Sequence, residues 1–187
     1  SVLSVAMAKE SAVLNLWTRV LPASREEDWD AIYAEQLPRV YNFFRYRVGT
    51  GPEAEDLTSL TFEKVWTSRH RYRRDRGGFE AWLFTVARNV AIDHFRRRRV
   101  QVPLDLDREI SPDPNPEQAA ERRSTLEQLE RLVAGLPDRE RELLSLKYGA
   151  GLTNRSIAKM TELTESNVGT ILHRTVEELR AGWKGEF

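Results

Sequence analysis

The sequence predicts an all-α protein built as two small helical domains joined by an extended, acidic, proline-rich linker. Apolar residues recur at helical spacing through both halves, while neither period-two alternation nor a hairpin dipeptide occurs in a usable context. Between them, Pro103, Pro112, Pro114 and Pro116 each remove a backbone donor, so no regular element can run through that stretch. A length of 187 residues admits two cores. The composition, 40% hydrophobic and 31% charged, can pack them and excludes a wholly disordered or collagen-like chain.

The elements follow in order. Residues 1–23 form an N-terminal extension in which Val13, Leu14, Trp17, Val20 and Leu21 can line a short accessory helix. The first domain, 24–99, opens with Ser24 and Glu27 as a capping box, followed by Trp29, Ile32, Tyr33, Leu37, Val40, Tyr41, Phe44 and Val48 on one helix face. Gly49 and Gly51 break that helix. Thr50 and Glu53, with Pro52 in the first turn, form a second box, and the new helix buries Ala54, Leu57, Thr61, Phe62, Val65 and Trp66. Beyond an arginine-rich loop, Phe79, Trp82, Leu83, Val86, Val90, Ala91 and His94 describe a third helix that runs into Arg96 to Arg99.

The linker is 100–115 and the second domain 116–187. Asn115, Pro116 and Glu117 start a helix with apolar Leu126, Leu129, Leu132 and Val133, stopped at Gly135. A short helix spans about Pro137 to Tyr148. Thr153 caps a helix carrying Ile157, Ala158 and Met160, and Thr164 caps another carrying Val168, Ile171, Leu172, Val176, Leu179 and Trp183. Two helices joined by so short a turn form a helix-turn-helix, whose second helix fits the major groove.

Charge and chemistry narrow the function. The chain holds 29 basic and 29 acidic residues, but they are segregated. From Arg69 to Arg99 ten arginines and no lysine face only Asp75, Glu80 and Asp93, the mark of a polyanion-binding block. Arg69, Arg71, Arg73, Arg74 and Arg76, interleaved with His70 and Tyr72, offer phosphate contacts and a stacking face for a single strand. From Val100 to Glu121, six carboxylates face Arg108 alone. The absence of cysteine excludes a disulfide framework, a thiolate metal site and a cysteine nucleophile. The scattered His70, His94 and His173 make no metal motif, and neither a phosphate-cradling glycine loop nor a nucleophile elbow is present, so no cofactor and no enzymatic activity are expected. No apolar run approaches the ~20 residues of a membrane helix, nor is there a signal peptide, so a cytoplasmic chain without membrane insertion is expected.

One order of motifs is distinctive: Ala54-Glu55-Asp56-Leu57-Thr58, then Thr61-Phe62 and Val65-Trp66; Phe79-Glu80-Ala81-Trp82-Leu83 with Ala87-Arg88-Asn89; Gly135-Leu136-Pro137 with Arg139 and Arg141; and the terminal helix-turn-helix. In this order and spacing, from about Trp29 to Trp183, the chain resembles the extracytoplasmic-function sigma factors of the sigma-70 family. That resemblance implies a promoter-specificity subunit of bacterial RNA polymerase. Its first domain would engage the −10 element and the clamp of the largest subunit, and its second the −35 element and the flap of the second subunit. It implies a promoter partner in double- and single-stranded form, a monomeric free state and control by an anti-sigma factor.

By the same correspondence, Arg69, Arg71, Tyr72, Arg73, Arg74, Arg76, Arg88, Asn89, Arg96 and Arg97 would meet the −10 DNA. Asn89 would hold an unstacked base, since an amide both donates to and accepts from a base edge. Thr164, Ser166, Asn167, Thr170, His173 and Arg174 would meet the −35 DNA, and Glu55, Asp56, Leu57, Thr61, Phe62 and Trp66 the polymerase. Taken alone, Glu55 and Asp56 equally suit a helix N-terminus, Asn89 an ordinary helix surface, and Phe79, Trp82 and Trp66 a core. The chain departs from the family pattern at Ser59 and Leu60, where glutamine and an acid are usual, and at Gly169 and Ile171, where basic residues are frequent. The competing reading is a dimeric helix-turn-helix regulator, which would bind its operator without polymerase.

Overall fold

A computed structural model describes residues 29–72, 78–101 and 116–183. All regular structure among them is helical: α1 Trp29–Val48, α2 Pro52–Ser68, a 3-10 turn Arg69–Arg71, α3 Phe79–Gln101, α4 Pro116–Ala134, α5 Asp138–Leu144, a π-helical turn Ser145–Gly149, α6 Asn154–Thr161 and α7 Glu165–Gly182. The N-terminal extension, the Ser24–Glu27 box, Asn115 and the linker prolines before Pro116 lie outside the described residues. Two compact units divide the chain at Pro38, which lies inside α1. The first contributes Trp29–Pro38; the second, from Arg39 onward, contains every other described element.

Helix starts follow local chemistry, with one correction. Pro52 occupies the first turn of α2, where a missing N–H costs nothing, and Glu53 and Glu55 meet the positive end of the helix dipole. The expected Thr50 capping box is absent. Gly51 is the N-cap at φ 134°, a conformation reserved for glycine, and both the Thr50 hydroxyl and its N–H reach Glu130 of α4 instead. The two later caps form as their residues dictate: Thr153 Oγ1 accepts the Ser156 N–H at 3.2 Å, and Thr164 Oγ1 accepts the Asn167 N–H at 3.1 Å. Between α6 and α7 the chain turns on Glu162, whose φ of 58° is the left-handed conformation that ends many helices.

Packing within the second unit is continuous. Phe43, Phe44 and Phe84 are fully buried, with Phe43 edge-on to Phe44 at 5.0 Å and to Phe84 at 6.2 Å, and Val40, Leu83, Ala87 and Val90 fill the spaces around them. Thr58 and Thr61 of α2 are buried because their hydroxyls bond back to the carbonyls of Ala54 and Leu57, at 2.7 and 2.8 Å. A second core gathers Leu143, Leu146, Leu152, Ile157, Val168 and Leu172 beneath the helix-turn-helix.

The helix anticipated from Pro137 to Tyr148 is shorter. After Leu144 the backbone widens into a π turn, with the Ala150 N–H donating to the Ser145 carbonyl at 2.9 Å. That turn delivers Gly149 against α1, where a Cβ would lie 2.8 Å from Phe43 Cα and 2.9 Å from the Asn42 carbonyl oxygen. Tyr46 of α1 packs against the cluster of Val133, Leu136 and Leu144. Leu126 and Leu129, expected on the buried face of α4, are 42% and 39% exposed because that face borders a cleft rather than the core.

Two stability predictions follow from this packing. Phe84→Ala should cost about 3–5 kcal/mol in chemical denaturation, since it removes the ring at the centre of the α1–α3 core. Thr164→Ala should cost about 1 kcal/mol and Thr164→Ser far less, since only the alanine deletes the capping oxygen.

Candidate nucleic-acid interface

The residues expected on −10 DNA divide between the turn after α2 and the outer face of α3. Arg69 and Arg71 sit in the 3-10 turn and are exposed; the Arg69 guanidinium lies 3.9 Å from the Trp66 ring centroid and donates to the Trp66 carbonyl at 2.8 Å. Tyr72 is half-buried among aromatic rings, 5.7 Å from Phe79 and 5.3 Å from Trp82. Phe79, Trp82 and Trp66, which periodicity suggested as core, are only half-buried, and Tyr72 joins the same partly open cluster. Arg73, Arg74 and Arg76 lie outside the described residues. On α3, Asn89 is exposed, as are Arg96 and Arg97, with Arg96 bonded to Asp93 at 3.1 Å.

Arg88, also expected on −10 DNA, is paired within the protein. Its Nε donates to Glu142 Oε1 at 2.6 Å, and the pair is largely covered, the side chains being 25% and 10% exposed. Further along α3, Arg99 bonds Asp138 at 2.7 Å and Arg98 reaches Glu53 at 3.3 Å. Arg47 of α1 is buried, donates to the Asp138 carbonyl at 3.1 Å and lies over the Phe95 ring at 4.9 Å. Burial pulls its guanidinium below the ordinary arginine range, and nearby Glu142 acts in the opposite direction. Arg45, Arg47, Arg98 and Arg141 line a cleft of about 290 Å³ that also borders the exposed Leu126 and Leu129.

On α7, Ser166, Asn167, Thr170, His173 and Arg174 are all exposed and fall on one face by their helical spacing. Val168, Leu172 and Thr175 occupy the opposite, buried face. Gly169 lies against Asn154 of α6, where a Cβ would meet its amide nitrogen at 3.5 Å, and Ile171 is half-buried; both departures from the family pattern therefore lie off the outward face. Thr164 is committed to its cap. Arg174 pairs with Glu140 of α5 at 3.6 Å.

Within the set expected to face the polymerase, Leu57, Thr61 and Phe62 are buried, at 6%, 0% and 7% exposure, and help to hold α2 down. Asp56 is exposed, Glu55 half-exposed and Trp66 half-covered beneath Arg69. Sequence reasoning missed Asp138, Glu140 and Glu142, the carboxylates of α5 that hold Arg99, Arg174 and Arg88. Their only signal was the alternation of acid and arginine from Asp138 to Glu142, which does not disclose its distant partners.

Among the described residues no group of His, Asp or Glu could hold a metal ion, and no helix is long and apolar enough to cross a membrane.

Comparison with known proteins places both halves. The family model for sigma-70 region 2 matches residues 32–100, and that for sigma-70 region 4 matches residues 126–179. The chain is 29% identical over 170 residues to the ECF RNA polymerase sigma factor RpoE of Cereibacter sphaeroides, covering 88% of this chain and 93% of that one. It is 31% identical to the ECF RNA polymerase sigma factor SigM of Bacillus subtilis, covering 81% of this chain and 93% of that one. In fold it is similar to the sigma factor RpoE of Bartonella quintana, solved with the anti-sigma factor NepR: the TM-score is 0.67 at 20% identity, over 87% of this chain and 100% of that one. The paired region 2 and region 4 matches, in the chain order and on the helices described above, establish that this chain belongs to the extracytoplasmic-function sigma factors of the sigma-70 family.

Proposed function

We propose that the outer face of α3, with the adjoining arginine-rich turn, engages the −10 promoter element while the outward face of α7 engages the −35 element, in a chain that acts as the specificity subunit of RNA polymerase and performs no chemistry itself. The observation that carries this reading is the exposed Asn89, which stands on the same helix as Arg88, Arg96 and Arg97. An amide on a cationic helix can read one base edge while the guanidinium groups hold phosphates without regard to sequence. Tyr72, Phe79 and Trp82 give this end of α3 an aromatic cluster on which a displaced base can stack. Asp56, exposed on α2, is the favoured contact to the polymerase.

Duplex reading by α7 rests on Ser166, Asn167, Thr170 and His173, a polar face supplemented by a single arginine; the helix N-terminus adds its own affinity for a phosphate. The solved relative's complex with an anti-sigma factor supports a regulator of the same kind here. The reading makes the free chain a monomer that depends on core polymerase for promoter binding.

Asn89→Ala should leave the fold and polymerase affinity intact and relax discrimination at one −10 position by about five- to hundredfold, since one good base pairing by a side chain is worth roughly 1–3 kcal/mol. Transcription by holoenzyme from promoters varied singly through the −10 element measures this; an equal drop on every variant would assign Asn89 to a phosphate or to the helix. Replacing Arg96 and Arg97 with glutamine should weaken promoter binding for all sequences and reduce the salt slope by about 1 for each phosphate no longer neutralised. An unchanged slope would remove both from the interface.

A further inference from the structure

The cleft of about 290 Å³ mixes guanidinium groups with an aliphatic strip. Arg45 and Arg47 enter it from the end of α1, Arg98 from α3 and Arg141 from α5. From α4 come Leu126, Leu129 and Val133, which recur at i, i+3 and i+7 and so form a strip about 10 Å long at 1.5 Å per residue. Val133 is buried, while Leu126 and Leu129 are 42% and 39% exposed. A single exposed leucine needs no explanation, but two in line beside a cavity offer an apolar seat.

The cationic side is short of acceptors. Arg47 is 7% exposed, and although it donates to the Asp138 carbonyl, its Nε has no hydrogen-bond partner. The Nε of Arg141 is likewise buried and unpartnered. A buried donor left open is costly and calls for an acceptor at the site. Burial pulls the Arg47 guanidinium below the ordinary arginine range, Glu142 opposes this, and repulsion from Arg141 adds to it. The carboxylates at hand are already engaged: Asp138 by Arg99 and Arg141, Glu130 by Thr50.

We propose that this cleft binds a free long-chain carboxylate, its head group held by Arg45, Arg47 and Arg141 and its chain lying along Leu126, Leu129 and Val133. A carboxylate is acceptor-only and takes guanidinium donors in pairs, which suits two open Nε–H groups. The body of the ligand is hydrocarbon rather than a nucleoside, because the described lining holds neither a side-chain amide nor an aliphatic hydroxyl to read a base edge or a sugar, and Glu130 is bound to Thr50. The site stands apart from the promoter reading, since none of these residues belongs to the sets proposed to meet −10 or −35 DNA.

Isothermal titration calorimetry of the full chain with laurate, kept below the concentration at which it forms micelles, should show one saturable site. Acetate has the head group without the chain, and dodecyltrimethylammonium has a chain of the same length with a cationic head; each should bind at least about tenfold more weakly, since each lacks one half of the interaction. Arg45→Gln and Leu129→Gln should each weaken laurate binding about tenfold or more, and both replace half-buried or exposed side chains outside the cores, so the fold persists. In nitrogen-15 spectra of the wild type, the Arg47 Nε–H signal should move as laurate saturates, while that of the exposed Arg97 should not. Absence of saturable binding would overturn the proposal, as would equal affinity for all three probes or unchanged affinity in both variants. Binding confined to phosphatidylglycerol vesicles, with none to monomeric laurate, would also overturn it and assign the arginines to a membrane surface.

Discussion

The contact between Gly149 and the backbone of Asn42 and Phe43 governs how the two halves of the second unit meet. A side chain at position 149 would hold them apart, and the interactions around it depend on that approach: the Arg39 bond to the Ala150 carbonyl, the Arg47 bond to the Asp138 carbonyl and the Arg88–Glu142 pair. The π turn makes the approach possible by inserting a wider backbone ring between α5 and α6, which turns Gly149 inward while Tyr148 stays 54% exposed. Here a local irregularity of one helix end positions charges on two other helices.

Electrostatics then acquires a clear division of labour. The whole chain is neutral, yet its arginines concentrate between Arg69 and Arg99, and a polyanion-binding face of this kind carries a cost in the unliganded protein because like charges repel. The structure meets that cost internally. Glu53 serves Arg98, Asp93 serves Arg96, and the α5 carboxylates serve Arg88 and Arg99. Exposed pairs such as Arg96–Asp93 contribute little to stability and exchange readily for phosphate, whereas the covered Arg88–Glu142 pair can be replaced only when an equally good acceptor arrives.

Much of this architecture was legible in the residues. Helical periodicity located α1, α2, α3 and α7, and the caps at Thr153 and Thr164 were readable because a cap is a contact over three residues. The outward set on α7 was readable for the same reason: spacing alone assigns Ser166, Asn167, Thr170, His173 and Arg174 to one face. The Thr50 box failed because glycine at position 51 offered a cheaper N-cap and released Thr50 to a glutamate 80 residues away. The spacing of Leu57, Thr61 and Phe62 placed them on the inner face of α2, where they are buried. The role of α5 was invisible because its partners are separated by 54 residues for Arg88 and 39 for Arg99, and no local pattern encodes a pairing at that range.

The Arg88–Glu142 bond joins the two halves at the residue next to the proposed base reader, so its presence in solution is the point on which the account turns. Nitrogen-15 NMR of the arginine side chains in the free protein reads it directly through the exchange of each Nε–H with water. The account predicts that the Arg88 Nε–H exchanges at least about tenfold more slowly than that of the exposed Arg97, because it is bonded and covered. Equal exchange at Arg88 and Arg97 would contradict it.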